Sequence, residues 1–117
     1  MAETEQAPGR GEIWYARLDP VVGHEQGGAR PCLVISDNRF NESRANLVVV
    51  VPLTRTDRQL AFHVRIEASE GGLTDVSFAM CEAMRSISKL RLERRWGKVG
   101  EGILAQVEDR MRLVLRL

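Results

Sequence analysis

The feature that most constrains the fold is an unbroken apolar run near the middle of the chain. Residues 47–53 read Leu-Val-Val-Val-Val-Pro-Leu, without a polar side chain. Valine favours strands, and a strand that is apolar on both faces must be covered on both faces. We expect one cover to be the interior of a small barrel and the other to be a helix or a partner subunit. Pro52 predicts an irregularity near the end of this strand.

Other short segments also have the character of strands, because they are apolar or alternate between apolar and polar residues. The predicted strands are residues 12–18, 32–36, 47–53, 62–66 and 77–83. In the first, Trp14, Ala16 and Leu18 point to one face, and Ile13 and Tyr15 point to the other. Short strands without βαβ spacing predict a small antiparallel β-barrel.

Helical patterns are fewer. Asp37 and Asn38 can cap one helical turn, and residues 89–95 are compatible with a short helix or a turn. Residues 101–117 carry an apolar stripe at helical spacing. Its members are Ile103, Leu104, Val107, Met111, Val114 and Leu115. The predicted fold class is therefore mainly β with a C-terminal α-helix.

Length and composition narrow the class of protein. A chain of 117 residues corresponds to one domain. We expect residues 1–9 to be a flexible tail and residues 10–117 to form the domain. The net charge of +1 excludes a strongly basic, histone-like binder, although a local basic groove can still bind nucleic acid.

Cysteine usage and hydropathy indicate a cytoplasmic protein. Cys32 and Cys81 lie in apolar segments without a CxxC motif, so we expect buried thiols in a reducing compartment. No segment approaches the roughly 18 apolar residues of a membrane span. The polar N-terminus lacks the features of a signal peptide.

The connection over residues 19–31 is the first candidate binding segment. It contains Glu25, Gln26, Gly27 and Gly28, followed by Arg30 next to a predicted strand. Long loops in compact domains are often functional, and Pro31 favours an extended conformation at the preceding residue. A plain surface loop remains the alternative at this point.

A second candidate lies where the apolar run ends. Thr54 is followed by Arg55 and Arg58, a combination of hydroxyl and guanidinium groups that can bind a phosphate oxygen. His24 and His63 leave a two-histidine nuclease open. The sequence contains no metal-binding spacing and no nucleophile elbow. Aromatic residues that can stack on bases are Trp14, Phe40 and Trp96.

Six motifs in order resemble the MazF/PemK family of toxin–antitoxin toxins, from Gly11 to the C-terminus. The first are Gly11-Glu12-Ile13-Trp14, then Asp19-Pro20-x-x-Gly23-x-Glu25-Gln26-Gly27-Gly28, then Arg30-Pro31-x-Leu33-Val34-Ile35-Ser36. The later ones are Val49-Val50-Val51-Pro52-Leu53-Thr54, then Glu70-Gly71-Gly72-Leu73, then Arg85-Ser86-Ile87 followed by Arg91-Leu92.

The resemblance implies a small SH3-like barrel, a homodimer and a cytoplasmic endoribonuclease that needs no metal or other cofactor. Such toxins cut single-stranded RNA, including mRNA, to 2′,3′-cyclic phosphate and 5′-hydroxyl ends. A small acidic antitoxin, MazE-like, neutralises them. The family's essential arginine and threonine fall on Arg30 and Thr54, and its loop acid and amide fall on Glu25 and Gln26. Further expected RNA contacts are Gly27, Gly28, Arg55, Glu82 and Arg85.

Two departures from the family pattern concern specificity. Ala83 stands where the family often has Gln, and Ser88 replaces a frequent Asp. Both positions adjoin the region expected to read bases, so they bear on the cleaved sequence. The expected chemistry uses the 2′-hydroxyl as nucleophile, Arg30 as an electrostatic clamp and Thr54 as a hydrogen-bond donor. Glu25 is a candidate base or orienter of Arg30.

Two other functions are compatible with a related barrel. A gyrase-poisoning toxin acts through a Trp-bearing C-terminal end, whereas this chain ends Val114-Leu115-Arg116-Leu117. A noncatalytic interaction module would not need both Arg30 and Thr54. Cleavage of RNA in the presence of EDTA separates the nuclease from both alternatives.

Overall fold

A computed structural model of the chain describes residues 7–19 and 28–117. In these ranges the chain forms seven strands and two α-helices. The strands are β1 (Glu12–Arg17), β2 (Ala29–Val34), β3 (Leu47–Thr54), β4 (His63–Ile66), β5 (Ser77–Met80), β6 (Arg85–Ser88) and β7 (Leu92–Lys98). The helices are α1 (Asn38–Asn41) and α2 (Glu101–Leu115). Neither has the length and apolar character needed to span a membrane.

Strand β3 is the centre of an antiparallel sheet whose strands run in the order β4-β5-β3-β2-β1-β7. It pairs with β6 through residues 47–50, with β2 through residues 50–52 and with β5 through residues 53–54. Pro52 lies between the stretch paired with β6 and the stretch paired with β5. Pro52 has no N–H to donate, and on this side of β3 no neighbouring strand pairs with it. This break in the pairing is the irregularity that Pro52 predicts.

The two faces of the sheet bury two separate apolar clusters. The first cluster, beneath α2, consists of Ile13, Leu33, Ile35, Val51, Leu53, Val64, Ile66, Leu73, Ala79, Cys81, Val99 and Val107. The second consists of Ala16, Leu18, Cys32, Val34, Val48, Val50 and Ile87. The alternation predicted for β1 is confirmed, since Ile13 and Ala16 belong to opposite clusters. Both thiols are free and buried, as predicted.

Both covers of the central strand come from the same chain. Helix α2 covers one face by burying Val107 completely and packing Ile103, Leu104 and Met111 against the first cluster. The curled sheet covers the other face, where β6 contributes Ile87 and β7 contributes Leu92. The apolar faces of β3 therefore do not by themselves require a partner subunit.

The predicted closed barrel is wrong, because the sheet remains open between β4 and β7. In the described part of the chain no strand ladder joins these two edges. Instead, the 3-10 turn Glu70–Gly72 between β4 and β5 packs directly against β7. A Cβ atom on Gly72 would lie 2.3 Å from the Trp96 carbonyl oxygen. Because Gly72 has no Cβ, its backbone can contact the backbone of Trp96 in β7. In a closed barrel, paired strands would join the sheet at this edge.

Two local predictions are also corrected. Residues 89–95 form a 3-10 turn only at Lys89–Arg91, and the remainder belongs to strand β7, which pairs with β1. Arg30 and Pro31 lie within β2 rather than in the preceding loop. Pro31 is tolerated there because the ladder with β3 begins only at Cys32.

The remaining helical predictions are confirmed. Asp37 caps α1 by accepting a hydrogen bond from the Arg39 amide at 2.9 Å. The long helical pattern forms α2, which begins at Glu101 and ends two residues before the predicted boundary.

Candidate active site

Arg30 and Thr54 lie at the same end of two adjoining strands. The ladder between β2 and β3 ends at the pair of Cys32 and Pro52, and Arg30 and Thr54 each lie two residues beyond it. The Nη1 atom of Arg30 donates a hydrogen bond to the Leu53 carbonyl at 3.3 Å. Two candidates that are 24 positions apart in the sequence are therefore neighbours in the fold.

A cleft of about 430 Å³ opens at this end of the sheet. Arg30, Thr54 and Arg55, three of the candidate site residues, all line it. The other lining residues are Tyr15, Ala29, Pro31, Leu53, Thr56, Leu73, Thr74, Asp75, Ser77 and Trp96. The lining combines apolar and aromatic side chains with cations and hydroxyls, which suits a nucleotide.

The hydroxyl of Thr54 is held by its own loop. Its Oγ1 accepts a hydrogen bond from the Thr56 amide at 3.2 Å. A hydroxyl oxygen that accepts from the backbone retains its own proton for donation. Thr54 can therefore donate to a phosphate oxygen in the cleft without first breaking this contact.

Asp75 also lines the cleft, although no sequence pattern indicates it. Its Oδ2 accepts from Arg55 Nη1 at 3.3 Å and from the Thr74 hydroxyl at 3.2 Å. Ser77 donates to the Asp75 carbonyl at 3.1 Å. Asp75 thus orients Arg55 at the wall of the cleft. No motif marks Asp75 in the sequence, because its relation to Arg55 arises only from the pairing of β3 with β5.

Two aromatic rings form another wall. Tyr15 and Trp96 are stacked, with ring centroids 5.6 Å apart and planes inclined by 9°. Of the three aromatic residues considered for base stacking, Trp96 alone lines the cleft. Trp14 packs against the second apolar cluster, and its indole N–H donates to Glu12 at 2.9 Å. Phe40 lies on α1.

The entrance to β2 includes one expected loop residue. Gly28 has a φ of 71°, a conformation that glycine adopts readily. Its amide donates to Asp19 Oδ1 at 2.9 Å, and its carbonyl accepts from the Leu18 amide at 2.9 Å. Glu25, Gln26, Gly27 and His24 lie outside the described residues.

Arg85 lies near the Arg30 side of the sheet without lining the cleft. Its Nη1 donates to the Leu18 carbonyl at 3.5 Å. Burial raises the pKa of the Cys32 thiol to about 12, while the charges of Arg30 and Arg85 act in the opposite direction. Both guanidinium groups are thus within electrostatic range of the same sulfur atom.

The expected RNA contact Glu82 lies apart from the cleft, paired with His63. The Nε2 atom of His63 and Oε2 of Glu82 are 2.9 Å apart, and the His63 side chain is 4% exposed. Among the described residues, His63 Nδ1 has no hydrogen-bond partner. The structure therefore does not bring this histidine to the Arg30–Thr54 cleft.

The chain is similar in sequence and fold to proteins named as toxins and endoribonucleases. Residues 9–115 match the family of PemK-like, MazF-like toxins of type II toxin–antitoxin systems. The endoribonuclease MazF9 of Mycobacterium tuberculosis is 37% identical over 113 residues, which cover 92% of this chain and 96% of the relative.

Solved structures agree with this assignment. MazF of Deinococcus radiodurans has a TM-score of 0.84 at 27% identity, covering 95% of this chain and 98% of the other. A mycobacterial endoribonuclease in complex with its cognate antitoxin has a TM-score of 0.76 at 26% identity, covering 95% and 97%. The predictions of the family and of an endoribonuclease are thereby confirmed. The chain belongs to the family of PemK-like, MazF-like toxins of type II toxin–antitoxin systems.

Proposed function

We propose that this endoribonuclease toxin cuts single-stranded RNA, mRNA included, in the cleft between Arg30 and Thr54. The observation that carries the proposal is the placement of these two residues in one cleft of a MazF-like fold. Its relatives are named endoribonucleases. The proposed products are a 2′,3′-cyclic phosphate and a 5′-hydroxyl.

The geometry of the cleft supports this chemistry through charge stabilisation. Attack of the 2′-hydroxyl oxygen on the adjacent phosphorus breaks the bond to the 5′-oxygen and builds negative charge on the non-bridging oxygens. Arg30, fixed by its hydrogen bond to the Leu53 carbonyl, offers N–H donors to that charge. Thr54 adds a neutral donor beside it. Arg55, paired with Asp75, supplies a second cation to the strand in the same cleft.

Two protons must also move during the reaction. The 2′-hydroxyl loses one, and the leaving 5′-oxygen gains one. Arginine is a poor proton carrier, since its pKa lies above roughly 12, so we assign Arg30 mainly to electrostatic stabilisation. Glu25 is the proposed base or orienter of Arg30, on the strength of the family resemblance.

The proposed assembly is a cytoplasmic homodimer that an acidic antitoxin neutralises. A mycobacterial structural neighbour is in complex with its cognate antitoxin, and the guanidinium groups at the cleft offer an anion-binding surface. Exposed leucines at positions 90, 113, 115 and 117 are compatible with a subunit or partner interface. Binding of the antitoxin should weaken with salt, and sedimentation velocity tests the dimer.

One experiment tests the proposed activity. A labelled single-stranded RNA is incubated with the purified protein in EDTA, and the new ends are analysed for a 2′,3′-cyclic phosphate and a 5′-hydroxyl. We expect cleavage at defined sequences by the wild type, and cleavage slowed by about 10²–10³-fold in Arg30→Ala purified in the same way. If folded wild-type protein leaves the RNA intact, the proposal is overturned. If the same preparation inhibits gyrase, the gyrase-poisoning function takes its place.

A further inference from the structure

We propose that a second cleft, lined by Arg94, Arg95 and Trp96, carries the RNA strand onward from the Arg30–Thr54 cleft. In this proposal Trp96 stacks on a base, and Arg94 binds the phosphate of a flanking nucleotide. The inference rests on the proposed function for the identity of the ligand and extends it to the path of the strand.

The two clefts adjoin each other, because two side chains line both of them. The second has a volume of about 330 Å³ and is lined by Gly72, Thr74, Arg94, Arg95 and Trp96. Thr74 and Trp96 also line the first cleft. A strand leaving Thr54 and Arg55 therefore meets these two shared side chains before it reaches the arginines of β7.

Trp96 is held in place between the clefts. Its ring stacks on Tyr15 at 5.6 Å, and its backbone packs against Gly72, where a Cβ would approach the Trp96 carbonyl to 2.3 Å. Strand β7 is irregular here, because the pairing with β1 shifts between Ile13 and Trp14. A fixed, half-buried indole is the kind of platform on which successive bases of a single strand stack.

The charges along the two clefts identify Arg94 as the phosphate ligand. The charged residues lining them, within the described ranges, are the cations Arg30, Arg55, Arg94 and Arg95 and the anion Asp75. Asp75 pairs with Arg55, and Arg95 pairs with Glu12 at 3.0 Å. Arg94 is exposed, and no described carboxylate pairs with it. It directly opposes Tyr15 in the ladder, which places it beside the aromatic platform.

An acidic peptide would also satisfy Arg94, but RNA fits the whole arrangement better. A carboxylate can pair with the guanidinium, yet it makes no use of the stacked rings of Tyr15 and Trp96. A nucleotide uses both, since its phosphate pairs with arginine and its base stacks on the indole. The spacing of an aromatic and a cation along one path is typical of surfaces that bind single strands.

Binding of an RNA that cannot be cut tests this path directly. The probe is a fluorescent single-stranded RNA of random sequence, about 15 nucleotides long, with 2′-O-methyl groups throughout to remove the nucleophile. Anisotropy is measured against protein concentration at several salt concentrations. The variants are Arg94→Ala and Trp96→Leu. The matched control is Arg44→Ala, since Arg44 is an exposed arginine that lines neither cleft and has no described ion pair.

We expect Arg94→Ala to weaken binding about fivefold and to reduce the salt slope by about 0.7, which is the value for one phosphate contact on a single strand. Trp96→Leu should weaken binding about tenfold to a hundredfold with a smaller change in slope. Arg44→Ala should bind like the wild type. Because Trp96 is partly buried, its variant counts only if thermal melting shows a folded protein, whereas the exposed Arg94 keeps the test decisive.

The outcomes for the path and for the activity are separable. If Arg94→Ala binds this RNA like the wild type, the path is wrong even where the wild type cuts RNA. If Arg94→Ala binds the RNA like the wild type but binds polyglutamate more weakly than the wild type, the second cleft is assigned to an acidic protein partner. If the wild type cuts no RNA while Arg94→Ala weakens binding as expected, the path stands and the proposed cleavage fails.

Discussion

Arg30 and Thr54 are joined across the boundary between β2 and β3, because the Arg30 guanidinium donates to the carbonyl of Leu53, the residue next to Thr54. A charged donor and a neutral donor are therefore presented to the same small volume. Because a charged donor makes a stronger hydrogen bond than a neutral one, we expect replacement of Arg30 to lower the cleavage rate more than replacement of Thr54.

Replacing Arg30 should remove most of the activity without unfolding the protein. We expect Arg30→Ala to lower the cleavage rate by about 10²–10³-fold, the typical cost of one donor to developing charge. Arg30→Lys should restore only part of it, since lysine keeps the charge but lacks the planar fork. Single-turnover cleavage of one RNA measures the rates, and circular dichroism confirms folding. A near wild-type rate for Arg30→Ala would place the catalytic centre elsewhere.

Replacing Thr54 should cost less than replacing Arg30. Thr54→Ala removes a neutral hydroxyl, which makes a weaker hydrogen bond than a guanidinium, so we expect a loss of about tenfold. Thr54→Ser keeps the oxygen that accepts from the Thr56 amide and should cut nearly as fast as the wild type. The same single-turnover assay compares the three proteins. An inactive but folded Thr54→Ser would contradict the assigned role.

Replacing His63 should reduce stability more than activity. The His63 ring is buried, pairs with Glu82 at 2.9 Å and does not line the Arg30–Thr54 cleft. We expect His63→Ala to lower the melting temperature by several degrees, as the loss of a buried side chain does in a small domain. Its cleavage rate should remain within a few-fold of the wild type. A folded but inactive His63→Ala, beside an active Arg30→Ala, would favour a histidine mechanism.

Gly72 offers a test of the open edge of the sheet. Gly72→Ala places a methyl group 2.3 Å from the Trp96 carbonyl oxygen at a φ of 83°, so we expect it to lower the free energy of unfolding by about 1–3 kcal/mol. The control is Gly102→Ala in α2, where a Cβ meets no atom within 4 Å. It should stabilise the helix by about 0.5–1 kcal/mol. Urea unfolding of both variants measures the difference, and a stable Gly72→Ala would refute the close contact.

Glu12 links stability to pH. Burial by itself raises the pKa of Glu12, but hydrogen bonds from Gly9, Trp14 and Arg95 outweigh burial and lower the pKa below its ordinary value of 4.5. Because the pKa is lower in the folded state, the ionised Glu12 carboxylate stabilises the fold above pH 4.5. This stabilisation is lost as the pH falls through the folded-state pKa. We expect Glu12→Gln to lower the free energy of unfolding by about 1–2 kcal/mol at neutral pH.

The difference between wild type and Glu12→Gln should then shrink as the solution is acidified below the ordinary pKa. Denaturation at a series of pH values measures it. Glu67→Gln is the control, because Arg65 lowers the pKa of Glu67 through an exposed contact, which contributes little to stability. If the difference in unfolding free energy between wild type and Glu12→Gln is constant with pH, the ionisation of Glu12 does not stabilise the fold.

The sequence predicts those parts of the molecule whose patterns are local. The stripe of α2 and the valines of β3 follow from periodicity and side-chain type, and Arg30 and Thr54 follow from motifs at the ends of strands. Strand β7 is different, since a bulge near Trp96 breaks the alternation by which strands are recognised. Its conformation depends on pairing with β1, which is about 80 positions away.

The same distinction separates the predicted residues of the cleft from the missed one. Asp75 reaches Arg55 only because β5 pairs with β3, and no short motif reports that contact. The closed barrel was wrong for a related reason. The contact of Gly72 with Trp96 replaces a strand ladder, and two glycines in a sequence indicate a turn without indicating what the turn packs against.

The position of β3 predicts that the backbone amides of this strand exchange hydrogen with solvent as a unit. The strand is paired with β6, β2 and β5 in succession, and its side chains belong to both apolar clusters. Its amides can therefore meet solvent only when both clusters open, so their protection should report the global unfolding free energy. Because Thr54 ends this strand, a ligand that orders the cleft should slow exchange throughout β3, including amides that it never touches.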